Sequence, residues 1–250
     1  MKRATRLEAL RTTFGARAVS PAERSFAVTG LFDRIAPRYD LMNDLMSFGT
    51  HRLWKRTMIA RAVAHLDGIT GPVLDLAGGT GDIALGLHRR LPGREIVVVD
   101  ASRGMLDVAR ARGGETLGYV HAPAEALPFG DGSAAMVTLS FGLRNMTDPP
   151  AALAEVVRVL RPGGKLVLLE FSKPQPWFAP FYGLHARHVI PRLGALVARD
   201  KGAYRYLVES IERFPGRDDI AREIGAAGLD LVEERAFVFG VARMQVAVKS

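Results

Sequence analysis

Beyond residue 70 the chain switches repeatedly between short apolar runs and segments with apolar residues at helical spacing. That alternation constrains the fold more than any other feature. "PVLDLA" reads as a buried strand and "GDIALGLHRRL" as a helix. "REIVVVD" and "SRGMLDVARAR" repeat the pair, with Ser102 placed to cap the second helix. "TLGYVHA" and "AAMVTLSF" are strands three and four. "PPAALAEVVRVL" opens a helix on proline, and "RPGGKLVLLEF" turns through Pro162, Gly163 and Gly164 into strand five. Alternation of this kind predicts an α/β, doubly wound, mostly parallel sheet with helices on both faces. The closing "LDLVEERAFVFGVARMQVAVKS" reads as an antiparallel hairpin, which brings the sheet to seven strands in one domain over 1–250.

Composition narrows the class. Hydrophobic residues make up 48% and charged residues 24% of 250, an ordinary globular balance. The chain has no cysteine, which excludes disulfides, thiolate metal sites and cysteine nucleophiles, and fits a reducing cytoplasm. No apolar stretch reaches the ~18 residues needed to cross a bilayer. The net charge of +8 favours anionic partners, nucleic acid or lipid headgroups, without choosing between them. The N-terminal "MKRATRLEALRTTFGARAVS" is Arg-rich, and reads either as a basic arm over 1–25 or as an organellar transit segment.

In an open sheet of this kind ligands collect at the carboxyl ends of the strands. Asp75 to Gly81, Asp100, Pro123 to Glu125 and Ser140 to Asn145 all fall there. Gly79, Gly81 and Ala84 satisfy the G-x-G-x-x-G/A spacing of a dinucleotide turn, with Asp100 at the end of strand two. A diphosphate, however, would meet Asp75 and Asp82, each repelling it by about 4 kcal/mol at 4 Å and an effective dielectric of 20. Those carboxylates suit a cationic ligand without phosphate, S-adenosyl-L-methionine, whose ribose diol Asp100 would receive. As an alternative, Asp82 simply complements the helix dipole.

Upstream, "HRLWKRTMIARAVAHL" places Trp54, Met58, Ile59, Ala62, Val63 and Leu66 on one helical stripe, a core-packing pattern. Arg38, Tyr39, Asp40, Asn43 and Asp44 crowd into seven positions before it, as helix caps and surface charges or as part of a site. Residues 173–200 form an apolar but Arg- and Pro-interrupted insertion after strand five. It suits either an ordinary cover on the sheet or a wall for an isoprenoid tail with shallow lipid contact. His185 and His188 stand at i and i+3, but no further ligand cluster accompanies them, so no metal is expected.

"LDLAGGTGD", "AEALPF", "SFGLRNMTD" and "RVLRPGGKLVLLEFSKP", together with "FDRIAPRYDLMNDLMSFGTHRLWKR", resemble the ubiquinone/menaquinone biosynthesis C-methyltransferases, which are class I methyltransferases with a Rossmann-like fold. The similarity runs from about Phe32 to the final strands. It implies methyl transfer from S-adenosyl-L-methionine to a ring carbon of a polyprenylated quinol, a benzoquinol, a naphthoquinol or both. It also implies a helical lid over 26–68 above a catalytic core over 69–250. The donor would be contacted at Thr80, Asp100, Pro123, Ala124 and Ser140, within a set that includes Asp75, Gly79, Gly81 and Ala101. Pro123 stands where the family usually has Asn or Asp, so adenine contact falls to the Ala124 backbone or to Glu125.

The methyl sulfonium is already activated, and the remaining tasks are alignment, exclusion of water and activation of the quinol. Arg144, at the end of strand four, would hold a phenolate or a water, since Arg is not a base at neutral pH; the alternative is a surface salt bridge. Tyr39, Asp40, Asp44 and His188 are the candidate proton acceptors, unranked. The partner expected is a lipid-tailed quinol, with cytoplasmic location, peripheral contact with the inner membrane, and self-association or a quinone-pathway complex as further expectations. Nucleic acid is not expected: no cysteine nucleophile serves pyrimidine C5 chemistry and no "NPPY"-like motif follows strand four. A non-catalytic pathway scaffold is the other alternative.

Overall fold

The computed structural model describes residues 7–184 and 201–250. A seven-stranded sheet is built from β1 (Val73–Leu76), β2 (Ile96–Asp100), β3 (Gly118–His121), β4 (Ala134–Ser140), β5 (Leu160–Phe171), β6 (Leu229–Phe237) and β7 (Ala242–Lys249). Its order is β3-β2-β1-β4-β5-β7-β6, with β7 antiparallel to both neighbours and the rest parallel. The strand order reverses at β1 and β4, which opens the ligand crevice at their carboxyl ends.

Alternation along the strands splits the core into two layers. Leu74 and Leu76, Val97 and Val99, Val137 and Leu139, and Leu166 and Leu168 face one side, against Ala152, Leu153 and Val156 of α6 (Pro149–Val159). Val73, Ile96, Val98, Met136, Val167 and Leu169 face the other. There they meet α3 (Thr50–His65), α4 (Asp82–His88) and α5 (Arg103–Gly113). Each such side chain contributes roughly 1.5–3 kcal/mol by leaving water. Trp54, Met58, Ile59 and Ala62 are buried as their stripe requires, and Ser102 Oγ accepts from Met105 N as the cap of α5.

Two boundaries differ from the sequence reading. Strand five begins at Leu160, before the Pro-Gly-Gly turn: Ala134 pairs with Leu160 and Met136 with Lys165, so the intervening residues bulge, with Gly163 at φ +75°. The N-terminal segment is also less of an arm than its charge suggests. Leu7 and Leu10 are buried in the layer under α6, and α1 (Pro21–Ile35) begins inside the stretch assigned to the arm. A capping box fixes that start: Glu23 N donates to Ser20 Oγ while Ser20 N donates to Glu23 Oε2.

Above the crevice, α1, α2 (Tyr39–Ser47) and α8 (Lys201–Arg213) enclose a third apolar cluster around Leu31, Ile35, Met42, Tyr206 and Leu207. The insertion supplies α7 (Ala179–Leu184), and α9 (Arg217–Ala226) leads into β6. His185 and His188 lie outside the described residues.

Candidate active site

The turn after β1 is shaped by what a side chain would strike. A Cβ on Gly78 would fall 2.8 Å from the Asp75 carbonyl oxygen and 2.8 Å from a Val98 methyl, so only glycine fits. Gly79 and Gly81 take φ +57° and +82°. Gly79 lines the crevice, whereas Gly81 does not: it precedes α4 and packs toward Ala109, where an added Cβ would come within 3.3 Å. That contact lets α4 pack closely against α5.

Asp100 sits where the turn meets β2. Its Oδ2 accepts from Gly79 N and its Oδ1 from Ser102 N, both at 2.8 Å. Burial raises its pKa, against those two backbone donors. Ala101, Ser102, Pro123, Ala124 and Ser140 line the same pocket, roofed by Val28, Phe32 and Tyr39 of the helices above. Glu125 lines it as well, but its Oε1 is occupied by Asp148 N at 2.8 Å. Ser140 Oγ is buried without a partner among the described residues, a polar atom left for a ligand.

A narrower opening continues from this pocket past Tyr39, Ala77, Gly79, Ser140 and Phe141 toward Asp75, Thr80 and Lys55. Asp75 is fully buried: Thr138 Oγ1 donates to Oδ1 at 2.8 Å and Ala84 N to Oδ2 at 3.1 Å. Burial pushes its pKa up to about 7.

The structure corrects the electrostatic reading of Asp82. Lys55 Nζ lies 3.0 Å and Arg112 Nη2 2.5 Å from its carboxylate, and its pKa falls to about 2 despite burial, held down by those two cations. Asp82 is neutralised by residues far away in sequence, so its charge does not discriminate against a diphosphate.

Asp40 is likewise placed differently from expectation. Thr80 Oγ1 donates to its Oδ1 and Arg112 Nη1 to its Oδ2, each at 2.9 Å. It latches α2 onto the glycine turn and α5, and lines none of the cavities at the crevice. Asp44, another candidate, is held bidentately by Arg52.

Beside the glycine-turn pocket lies an apolar cavity of about 250 Å³ between α2, α3, α7 and α8. Phe141, at φ +56°, is the wall common to both spaces. Its ring packs 4.7 Å from Phe171 and 6.2 Å from Trp54. Arg144 enters the cavity from the end of β4, buried rather than on the surface. Its Nη1 donates to Glu170 Oε1 at 2.7 Å and to the Phe141 carbonyl at 2.6 Å, while Nε has no partner among the described residues. Burial raises the Glu170 pKa and Arg144 opposes that rise.

Sequence reasoning missed Glu170 and His51. Glu170 follows Leu166 and Leu168 at the same strand parity, a charge in an apolar series. His51 opens the stripe that continues through Trp54 and Met58, and its pKa is lowered to about 4, chiefly by burial. Asn145, at the end of the stretch from Ser140 that the sequence places at the crevice, lines the glycine-turn pocket and accepts from Tyr206 OH at 3.0 Å.

With two cavities meeting at one wall, the comparisons decide the family. The ubiE/COQ5 methyltransferase family matches residues 19–249. The chain belongs to that family. Curated relatives include the ubiquinone/menaquinone biosynthesis C-methyltransferases UbiE of Rubrivivax gelatinosus and of Paracoccus denitrificans. The first is 44% identical over 96% of this chain and 94% of its own length. The second is 45% identical over 93% and 94%. As a ubiE/COQ5 member, this chain is a C-methyltransferase of ubiquinone/menaquinone biosynthesis. Solved structures share the fold. Magnesium protoporphyrin IX methyltransferase of Synechocystis, with bound SAH, matches with a TM-score of 0.63 at 18% identity, over 91% of this chain and 100% of that one. A Thermotoga maritima SAM-dependent methyltransferase matches at 0.62 and 17%, over 89% and 100%.

Proposed function

We propose that the ubiE/COQ5 member described here methylates a ring carbon of a polyprenylated quinol, with S-adenosyl-L-methionine held in the glycine-turn pocket and the quinol in the apolar cavity. The observation that carries this reading is Phe141, the wall between a pocket with polar ends and a cavity whose lining is apolar apart from a few polar groups. The donor fits the residues present. Asp100 meets the ribose diol, Ser140 Oγ offers its unused hydrogen-bonding capacity, and the glycines admit the ligand close to the backbone. When bound, that donor supplies an activated methyl group.

The chain's own part is to align and to exclude water. Phe141, Phe171 and Trp54 wall the acceptor, and Arg144, its charge balanced by Glu170, offers guanidinium N–H groups to a quinol oxygen, where hydrogen bonding to the ionised form favours phenolate character and raises electron density on the ring. Reduced quinol is the required form, because the oxidised ring is electron-poor. Phe48 and Phe181 at the cavity are largely exposed, as are nearby Trp177 and Phe239, whose rings pack 4.7 Å apart. These residues suit the exit of an isoprenoid tail and shallow contact with a lipid surface. No helix among the described residues is long and apolar enough to cross a membrane.

Two variants test the two halves separately. Asp100→Ala should weaken donor affinity in calorimetric titration, with ~1.5–3 kcal/mol at stake for each hydrogen bond to the carboxylate. Ile211→Trp, projecting into the apolar cavity from α8, should raise KM for reduced quinol while donor affinity holds. Unchanged KM would remove the quinol from that cavity.

A further inference from the structure

His51 has features of a proton acceptor that Tyr39, Asp40 and Asp44 lack. It lines the apolar cavity beside Trp54, Phe141 and Arg144 and is 4% exposed. Its Nδ1 lies 2.8 Å from Ser47 Oγ, and Ser47 Oγ in turn donates to the Asn43 carbonyl at 2.8 Å. With its proton directed at that carbonyl, Ser47 Oγ accepts from the imidazole, as it does from the His51 backbone N–H at 3.4 Å. Nδ1 carries the ring proton in this arrangement, and the Asp44 carboxylate 3.8 Å away on the same side favours it there. The lone pair is left on Nε2, which bonds no group among the described residues. A ring whose tautomer is fixed by a second group is how a histidine base is prepared for use.

The surroundings keep the ring neutral. Lys55 and Arg52 disfavour its protonation, Asp44 and Asp82 favour it, Arg144 is a further cation lining the same cavity, and burial is the largest influence. So weak a base is poorly matched to a phenolic proton, whose pKa is about 10. It is well matched to a far more acidic one. When a quinol carbon takes a methyl group, a ring electron pair forms the new carbon–carbon bond as the methyl–sulfur bond breaks and leaves its pair on sulfur. That ring carbon then holds both the methyl and its original hydrogen. Breaking the C–H bond returns its electron pair to the ring and restores aromaticity.

We propose that Nε2 of His51 accepts this ring proton, making His51 a catalytic base for the second half of the methylation. The inference rests on the apolar cavity being the acceptor site. It assigns proton acceptance to none of Tyr39, Asp40 or Asp44.

The test uses the full chain, S-adenosyl-L-methionine and a reduced short-tailed quinol carrying hydrogen or deuterium on the carbon that is methylated. His51→Gln should retain donor affinity and acceptor KM while kcat falls by ~10²–10⁴. Loss of the C–H proton should become rate-limiting, so the variant shows a primary deuterium isotope effect absent from the parent, and added imidazole restores part of the rate to His51→Ala. Ser47→Ala, which keeps the ring but releases its tautomer, should show a smaller version of the same effect and keeps the test alive if neither His51 variant folds. Turnover like the parent's, or a slow His51→Gln with neither isotope effect nor imidazole rescue, overturns the assignment. If Ile211→Trp raises the acceptor KM while His51→Gln turns over normally, the cavity reading stands and only the base is wrong. If neither variant changes KM or kcat, the cavity reading itself fails.

Discussion

Arg144 and Glu170 form an ion pair in the wall of the apolar cavity, with Nη1 2.7 Å from Oε1 and both side chains almost wholly buried. Removing one partner of such a pair leaves an uncompensated charge and typically costs ~3–5 kcal/mol, whereas replacing both with apolar groups of similar volume is often close to neutral. Glu170→Ala should therefore lose several kcal/mol in urea denaturation, and the double variant Arg144→Met with Glu170→Met should recover most of it. A Glu170→Ala protein as stable as the parent would show that the pair is hydrated in solution.

The same pair bears on turnover. Arg144→Met combined with Glu170→Gln, which avoids a lone buried carboxylate, should lower kcat and kcat/KM together while donor affinity stays intact. One preorganised electrostatic contact is worth ~10²–10³ in rate. Raising the pH should partly rescue the variant, because the quinol then ionises without help. A pH–rate profile with reduced acceptor checks both points, and parent-like turnover at neutral pH would make Arg144 structural.

Asp40 separates a latch from a base. Its bonds to Thr80 and Arg112 are half-exposed, and pairs of that kind contribute ~0.2–1 kcal/mol. Asp40→Ala should speed donor release in stopped-flow displacement and reduce kcat only modestly. A rate loss of ~10²–10⁴ with unchanged donor release would instead mark a general base.

Asp75 gives a pH signature. Its folded pKa of about 7 lies above the ordinary 3.8, so between those values the folded state holds a proton that the unfolded state has lost. The stability it contributes is complete below about pH 4 and is lost as pH rises through 7, at about 1.4 kcal/mol per pH unit within the window. Asp75→Asn cannot titrate. Its stability relative to the parent should therefore improve from pH 5 to pH 8, read by urea unfolding at each pH. A constant difference would place the Asp75 pKa near its unfolded value.

The layers of the fold were legible in the chain because periodicity is a local property. Apolar runs at β1, β2, β4 and β5 and the stripe from Trp54 to Ala62 predict which faces are buried without reference to any distant residue. The glycine turn, Asp100, Pro123, Ala124 and Ser140 follow from the rule that strand ends face the crevice, and the structure brings them together there. Tertiary packing decided the charges. Asp82 reads as a bare carboxylate until Lys55 and Arg112, 27 and 30 residues away, neutralise it. Asp40 reads as a candidate proton acceptor, and Arg112, 72 residues on, claims one of its oxygens. Glu170 turns Arg144 from a surface cation into a buried pair. The physical reason is common to all three. Hydrophobic burial is set by spacing along one element, whereas a charge takes its meaning from partners and dielectric within a few ångströms, and only the folded chain brings those partners near.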